Sequence, residues 1–157
     1  MSDRALREHV AALLGWEDAH PGLDRVVEGI PPGQWAAMAP GLPYTLWQLL
    51  EHIRMAQYDI LDFCRNSAYT HLKWPDDYWP PQSARPSADE VRKSVAACRE
   101  DRAALVTMAL DGSVDLFARI PHGTGQTYLR ELLLVADHTS YHLGQMVAVR
   151  RALGIWE

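Results

Sequence analysis

Apolar residues recur at intervals of three and four along most of this chain, which is the spacing of one face of an α-helix. The clearest example lies in the first half of the chain and consists of Leu46, Leu49, Leu50, Ile53, Ala56, Ile60, Leu61 and Cys64. No segment alternates apolar and polar residues in the way of a half-buried β-strand. The pattern therefore predicts an all-α protein.

Two of the long helices begin at recognisable capping boxes. Thr45 is followed three residues later by Gln48, and Ser87 by a glutamate at the same spacing. In each pair the hydroxyl and the longer side chain can satisfy backbone N–H groups of the first turn. The helix behind Thr45 is expected to fray near residues 66–67, and the helix behind Ser87 to end at residues 111–112.

The N-terminal part of the chain predicts two further helical pieces. Ser2 is expected to cap a helix that reaches about residue 14, and a shorter stretch covers residues 23–30 before a Pro-Pro-Gly sequence. Pro21 favours a break between the two pieces, but the pattern is also compatible with a single kinked helix.

The last helix is predicted over residues 126–153, ending before Gly154, with Thr124 or Thr127 as its cap. Glycines in the preceding turn suggest phosphate binding only weakly, because no strand precedes them and no Gly-Lys-Ser/Thr ending follows. Four long helices with connections of mixed length describe a four-helix bundle.

Residues 69–86 interrupt the helical pattern with a long connection rich in proline and aromatic residues. These are Tyr69, Trp74, Pro75, Tyr78, Trp79, Pro80, Pro81 and Pro86. Proline blocks helix formation, and aromatic residues at this density favour an ordered loop packed on the bundle. The length fits a crossover or a lid.

The composition narrows the class of protein. The chain has 157 residues, 48% of them hydrophobic and 22% charged, with a formal net charge of −5, which indicates a single globular domain over residues 1–157. Without a basic stripe we expect no nucleic-acid partner, and without an apolar run of about 20 residues no membrane partner. The start lacks the apolar core of a signal peptide, and Cys64 and Cys98 resemble reduced core thiols, so a cytoplasmic location is expected.

Three histidines are the candidate chemistry. His138 and His142 lie one helical turn apart on one face, and His52 lies within another predicted helix. Three imidazoles can bind a divalent ion and leave a position open for water or substrate, and the ion lowers the pKa of that water. The alternative is that each histidine is a core residue hydrogen-bonded to a backbone or carboxylate group.

Neighbouring polar residues leave further alternatives open. Glu51 and Asp137 each precede a candidate ligand, so either could orient a histidine on the adjacent helix, although a solvated charge or an interhelical salt bridge is favoured. Gln145 could line the cavity, but packing is the favoured role for it, and Tyr141 is expected to pack between helices. The other histidines, expected on the surface or in loops, are His9, His20, His71 and His122.

Two segments carry a family resemblance. They are residues 43–52, Pro-Tyr-Thr-Leu-Trp-Gln-Leu-Leu-Glu-His, and residues 137–145, Asp-His-Thr-Ser-Tyr-His-Leu-Gly-Gln. Together with the loop at 74–80 and the turn at 122–127, they resemble the DinB/YfiT-like superfamily of metal-dependent enzymes over nearly the whole chain.

The resemblance implies a four-helix bundle of up-down-down-up topology that is often a homodimer. It also implies a metal bound by three histidines, carried here onto His52, His138 and His142. Relatives include thiol-dependent transferases and isomerases, in which the metal activates a low-molecular-weight thiol.

The leading functional hypothesis is a metal-dependent hydrolase or thiol-dependent transferase acting on a small electrophilic substrate. Zinc or nickel is expected, and iron and manganese also accept imidazole ligands. No catalytic residue is identified beyond the metal ligands. The alternatives are a non-catalytic metal or small-molecule binding module, such as a sensor or detoxification accessory, and an interaction bundle with purely structural histidines.

Overall fold

The computed structural model describes residues 3–157, which form five α-helices and no β-strand. The helices are α1 (Arg4–Leu13), α2 (Leu23–Val27), α3 (Leu46–Arg65), α4 (Ala88–Leu110) and α5 (Tyr128–Ala152). Single turns of 3₁₀-helix at Pro32–Gln34 and Asp76–Tyr78 lie in the connections. The predicted all-α class is confirmed. None of the helices within residues 3–157 combines the length and the apolar character that crossing a membrane requires.

Helix α3 begins at the predicted capping box. The Thr45 hydroxyl accepts the Gln48 backbone N–H at 3.1 Å, and the Gln48 side chain accepts the Thr45 N–H at 3.2 Å. The helix ends at Arg65, and the Asn66 N–H still bonds to the carbonyl of Asp62. Helix α4 begins in the same way at Ser87, so both capping boxes are confirmed.

Two predicted boundaries are wrong by a few residues. Helix α2 was expected to reach residue 30, but it ends at Val27 because Glu28 is extended and Gly29 has a φ of 68°, a left-handed conformation that glycine adopts readily. Helix α5 begins at Tyr128 and not at Gln126, because the Gln126 carbonyl accepts the Ile120 N–H at 2.8 Å and is committed to the preceding turn.

The cap of α5, the end of α1 and the break between α1 and α2 agree with the sequence predictions. Of the two candidate caps of α5, Thr127 accepts the backbone N–H of Arg130 and is the one used. Helix α1 ends at Leu13, and α2 is a separate piece, as Pro21 indicated. The expected cap residue Ser2 lies outside the described residues.

Helix α3 is the central element, because it packs extensively on both α4 and α5, while α1 packs on α4. Its apolar stripe, including Leu49, Leu50 and Ile53, is almost completely buried, together with Met146 and Leu143 of α5. This packing of α3 on α5 brings the two predicted histidine segments to the same place in the fold.

The two cysteines belong to the interior, as expected. Cys64 and Cys98 are both free and buried. Burial raises the pKa of each thiol to about 12, which disfavours the reactive thiolate. Neither thiol has the electropositive, accessible setting of a nucleophile.

Candidate metal centre

The three histidines singled out in the sequence converge in the fold. His52 of α3 meets His138 and His142 of α5, and one nitrogen from each ring lies within 4.8 Å of the others. The Nε2 atoms of His52 and His138 are 3.0 Å apart. The ring centroids of His138 and His142 are 4.4 Å apart, in agreement with a spacing of one helical turn.

The cluster is held in its neutral form by its surroundings. His52 is 1% exposed and His142 is 6% exposed, while His138 is partly buried. Burial, opposed by the hydrogen bond to Tyr78, lowers the pKa of His52 to about 4. Burial and the two neighbouring imidazoles lower the pKa of His138 to about 3, and burial also lowers the pKa of His142. Neutral imidazole is the form that binds metal ions.

A backbone carbonyl orients His52. Its Nδ1 lies 2.9 Å from the carbonyl oxygen of Tyr78, which can only accept a hydrogen bond. The Nδ1 atom of the neutral ring therefore carries the proton, and Nε2 presents its lone pair to the cluster. Ligand histidines in metalloproteins are commonly fixed in this way.

Gln145 orients the third ring. The Nδ1 atom of His142 lies 2.8 Å from the Gln145 side-chain oxygen, and the Gln145 amide donates to the Tyr141 hydroxyl at 3.2 Å. The prediction that Tyr141 packs between helices is wrong, because this residue is 63% exposed and meets the ring of His142 in an edge-to-face contact with centroids 4.9 Å apart. Its position next to His142 on the helix turns it outwards to the rim of the site.

The loop between α3 and α4 supplies aromatic neighbours that the sequence did not identify as site residues. Trp79 stacks on His52 with ring centroids 3.7 Å apart and an interplanar angle of 8°, and it also stacks on Tyr44. Trp74 lies 6.2 Å from His52 and is 67% exposed. The density of aromatic residues in this loop was the available signal, but nothing in the sequence indicated which ring would meet which histidine.

The two carboxylates that precede candidate ligands do not contact the histidines. Glu51 is buried and accepts two hydrogen bonds of 2.8 Å from Arg54, and the Ser94 hydroxyl of α4 also donates to it. Asp137 is exposed. A solvated charge therefore describes Asp137. Glu51 is neither solvated nor part of an interhelical salt bridge, because its ion pair with Arg54 lies within α3 and its contact with α4 is the Ser94 hydrogen bond.

The remaining histidines lie apart from the cluster. His9 and His71 are exposed. His122 donates to the carbonyl of Phe63 near the end of α3 at 2.7 Å, and His20 bonds to the Ser140 hydroxyl at 3.1 Å. The last two are half-buried structural links between segments.

The donor set fits a divalent transition metal. With metal–nitrogen bonds of about 2.0–2.1 Å, two imidazole nitrogens on one ion lie roughly 3 Å apart, close to the observed separation of His52 and His138. The three residues could hold one ion, with two of the rings already oriented by hydrogen bonds at Nδ1. Three neutral nitrogens suit zinc, nickel or iron better than magnesium or calcium.

Comparison with known proteins gives a match to one protein family. A family model described as the DinB superfamily matches residues 16–146, a segment that includes all three histidines. No curated protein and no solved structure gives a match.

Proposed function

The chain belongs to the DinB superfamily, and we propose that it is a metal-dependent enzyme whose divalent ion is bound by His52, His138 and His142. The observation that carries this proposal is the convergence of three neutral imidazoles from two helices. Within the family framework, we assign the long helices α1, α3, α4 and α5 to a bundle of up-down-down-up topology.

The reaction we propose is hydrolysis or thiol transfer to a small electrophilic substrate. A divalent ion at this site would lower the pKa of a bound water or low-molecular-weight thiol and so supply a nucleophile near neutral pH. Burial keeps the three rings neutral, and the Tyr78 carbonyl and the Gln145 side chain orient His52 and His142. Trp79 covers one face of His52, and the partly exposed His138 marks the side from which substrate enters.

Zinc or nickel is the proposed ion, and iron and manganese, which also accept imidazole ligands, are the alternatives. We further propose a cytoplasmic homodimer, on the basis of the family resemblance and the buried thiols of Cys64 and Cys98. Sedimentation of the metal-loaded protein tests the dimer.

The experiment that tests the function begins with protein purified without a histidine tag. Metal binding is measured by calorimetry, and the reconstituted protein is then screened against small electrophiles with and without candidate thiols. We expect one ion per chain and a turnover that depends on it. A bound ion without exchangeable water would identify a non-catalytic binding module instead, and a chain that binds no transition metal would refute the proposal.

A further inference from the structure

One face of α3 carries polar residues that all contact a single segment of the following loop. Gln48, His52 and Asp59 share this face because four and eleven residues are close to whole numbers of helical turns. The Gln48 amide donates to the carbonyl of Pro80 at 3.2 Å, and His52 donates to the carbonyl of Tyr78 at 2.9 Å. The Tyr78 hydroxyl donates to Asp59 at 2.6 Å. The segment 78–80 is thus tied to α3 at three points.

Tyr78 links two of these points through one residue. Its carbonyl accepts the Nδ1 proton of His52, and its hydroxyl reaches Asp59, about 10 Å further along the helix axis at 1.5 Å per residue. Rotation of the Tyr78 backbone away from His52 would pull the phenol from Asp59. The carboxylate therefore restrains a carbonyl group that it does not touch.

Tyr69 provides a natural comparison for Tyr78. Its hydroxyl also donates to Asp59, at 2.8 Å, but its backbone N–H bonds to the carbonyl of Asn66 just beyond α3. Burial and the Asp59 carboxylate raise the pKa of both tyrosines, so both phenols remain protonated donors. The two tyrosines therefore share the acceptor and differ in whether their backbone contacts the cluster.

We propose that Asp59 is a positioning residue for the metal centre. By holding the Tyr78 hydroxyl, it keeps the Tyr78 carbonyl on Nδ1 of His52 and so fixes the tautomer whose Nε2 faces His138 and His142. The consequence for metal affinity rests on the proposed function, whereas the consequence for the His52 tautomer does not. Loss of such an outer hydrogen-bond partner typically weakens metal affinity about 10–100-fold.

The first test uses metal-free protein and nitrogen NMR of the histidine rings at neutral pH. Wild type is expected to show His52 protonated at Nδ1. Tyr78→Phe removes only the hydroxyl and should give a mixture of both tautomers, while Tyr69→Phe should retain the wild-type signal. Equal spectra for Tyr78→Phe and wild type would overturn the proposal, as would an equal change in both variants.

The second test measures zinc affinity by competition with a chromophoric chelator. We expect about tenfold weaker binding for Tyr78→Phe, at least the same loss for Asp59→Ala, and less than about a twofold change for Tyr69→Phe. Thermal melts identify any variant that does not fold. If Asp59→Ala fails to fold, the two tyrosine variants decide the question alone.

The two tests separate this inference from the proposed function. If wild type binds neither zinc nor any other divalent transition metal, the proposed function fails, yet the NMR comparison still tests the role of Asp59. If wild type binds zinc and Tyr78→Phe binds it equally tightly, the metal site stands and the positioning role of Asp59 is refuted.

Discussion

The Nε2 atoms of His52 and His138 face each other across 3.0 Å, although 86 residues separate them in the chain. Since Nδ1 of His52 donates to Tyr78, Nε2 of His52 can only accept in the neutral ring. His138 must then donate its Nε2 proton in the metal-free protein. An ion bound at Nε2 of both rings would replace this hydrogen bond, and His138 would then carry its proton on Nδ1.

Loss of one ring of the cluster should abolish metal retention. We expect His138→Ala, after dialysis, to fall from about one ion per chain to roughly a tenth or less, because two imidazoles remain. His9→Ala is the matched control, since His9 is exposed on α1. Elemental analysis of tag-free protein measures the number of metal ions per chain. A full ion per chain in the His138→Ala variant would refute the ligand assignment.

Gln145 should affect affinity through the orientation of His142. Replacement of Gln145 by Ala removes the acceptor at Nδ1, 2.8 Å away, and we expect about tenfold weaker zinc binding. Tyr141→Phe removes only the hydroxyl to which the Gln145 amide donates, and a smaller loss is expected. Chelator competition measures both variants. Wild-type affinity in Gln145→Ala would mean that packing alone orients His142.

The metal-free protein should become less stable as the pH falls from about 6.5 to about 3. In the unfolded chain the histidines protonate near 6.5, whereas burial holds the pKa of folded His52 near 4 and that of His138 near 3. The unfolded state therefore binds more protons within this window, and the free energy of unfolding falls with the pH. Below the pKa values of His52 and His138 in the folded protein, both states bind these protons, and the free energy of unfolding stops falling on their account.

Urea unfolding in the presence of a chelator, repeated across this pH range, measures the effect. His138→Gln removes one of the titrating groups and should give a shallower dependence on pH. A stability that is the same at neutral pH and at about 4 in wild type would contradict the lowered pKa values.

The cap of α3 should contribute more to stability than the cap of α4. Thr45 is almost fully buried, whereas Ser87 is exposed, although both hydroxyls accept a first-turn N–H. We expect Thr45→Ala to lower the free energy of unfolding by about 1–2 kcal/mol and Ser87→Ala by about 0.5–1 kcal/mol. Urea denaturation checks the order, and a larger loss in Ser87→Ala would contradict it.

Local signals in the sequence predicted the helices well, because caps and apolar spacing act within a few residues. The capping boxes at Thr45 and Ser87 are examples. The convergence of the three histidines joins distant parts of the chain, and it was expected from the family resemblance and not from local spacing. The end of α2 was missed because a helix-compatible Glu28 adopts an extended conformation in front of Gly29. The spacing of apolar residues does not indicate whether the backbone of a polar residue such as Glu28 is helical or extended.

The groups that orient the histidines could not be predicted in the same way. His52 is held by a main-chain oxygen of Tyr78, and every residue carries such an oxygen, so no side-chain pattern marks this one. The stack of Trp79 on His52 depends equally on how a long loop folds back over α3. Both contacts are tertiary, and they join residues 26 positions or more apart.

Because α3 and α5 each contribute donors, only the folded chain presents the complete set of ligands. An ion that binds the native state alone adds about 2.7 kcal/mol to its stability at a free concentration one hundred times the dissociation constant. The supply of that ion in the cell would thereby govern how long the polypeptide escapes proteolysis, and the amount of protein would follow nutritional metal status even before any substrate is encountered.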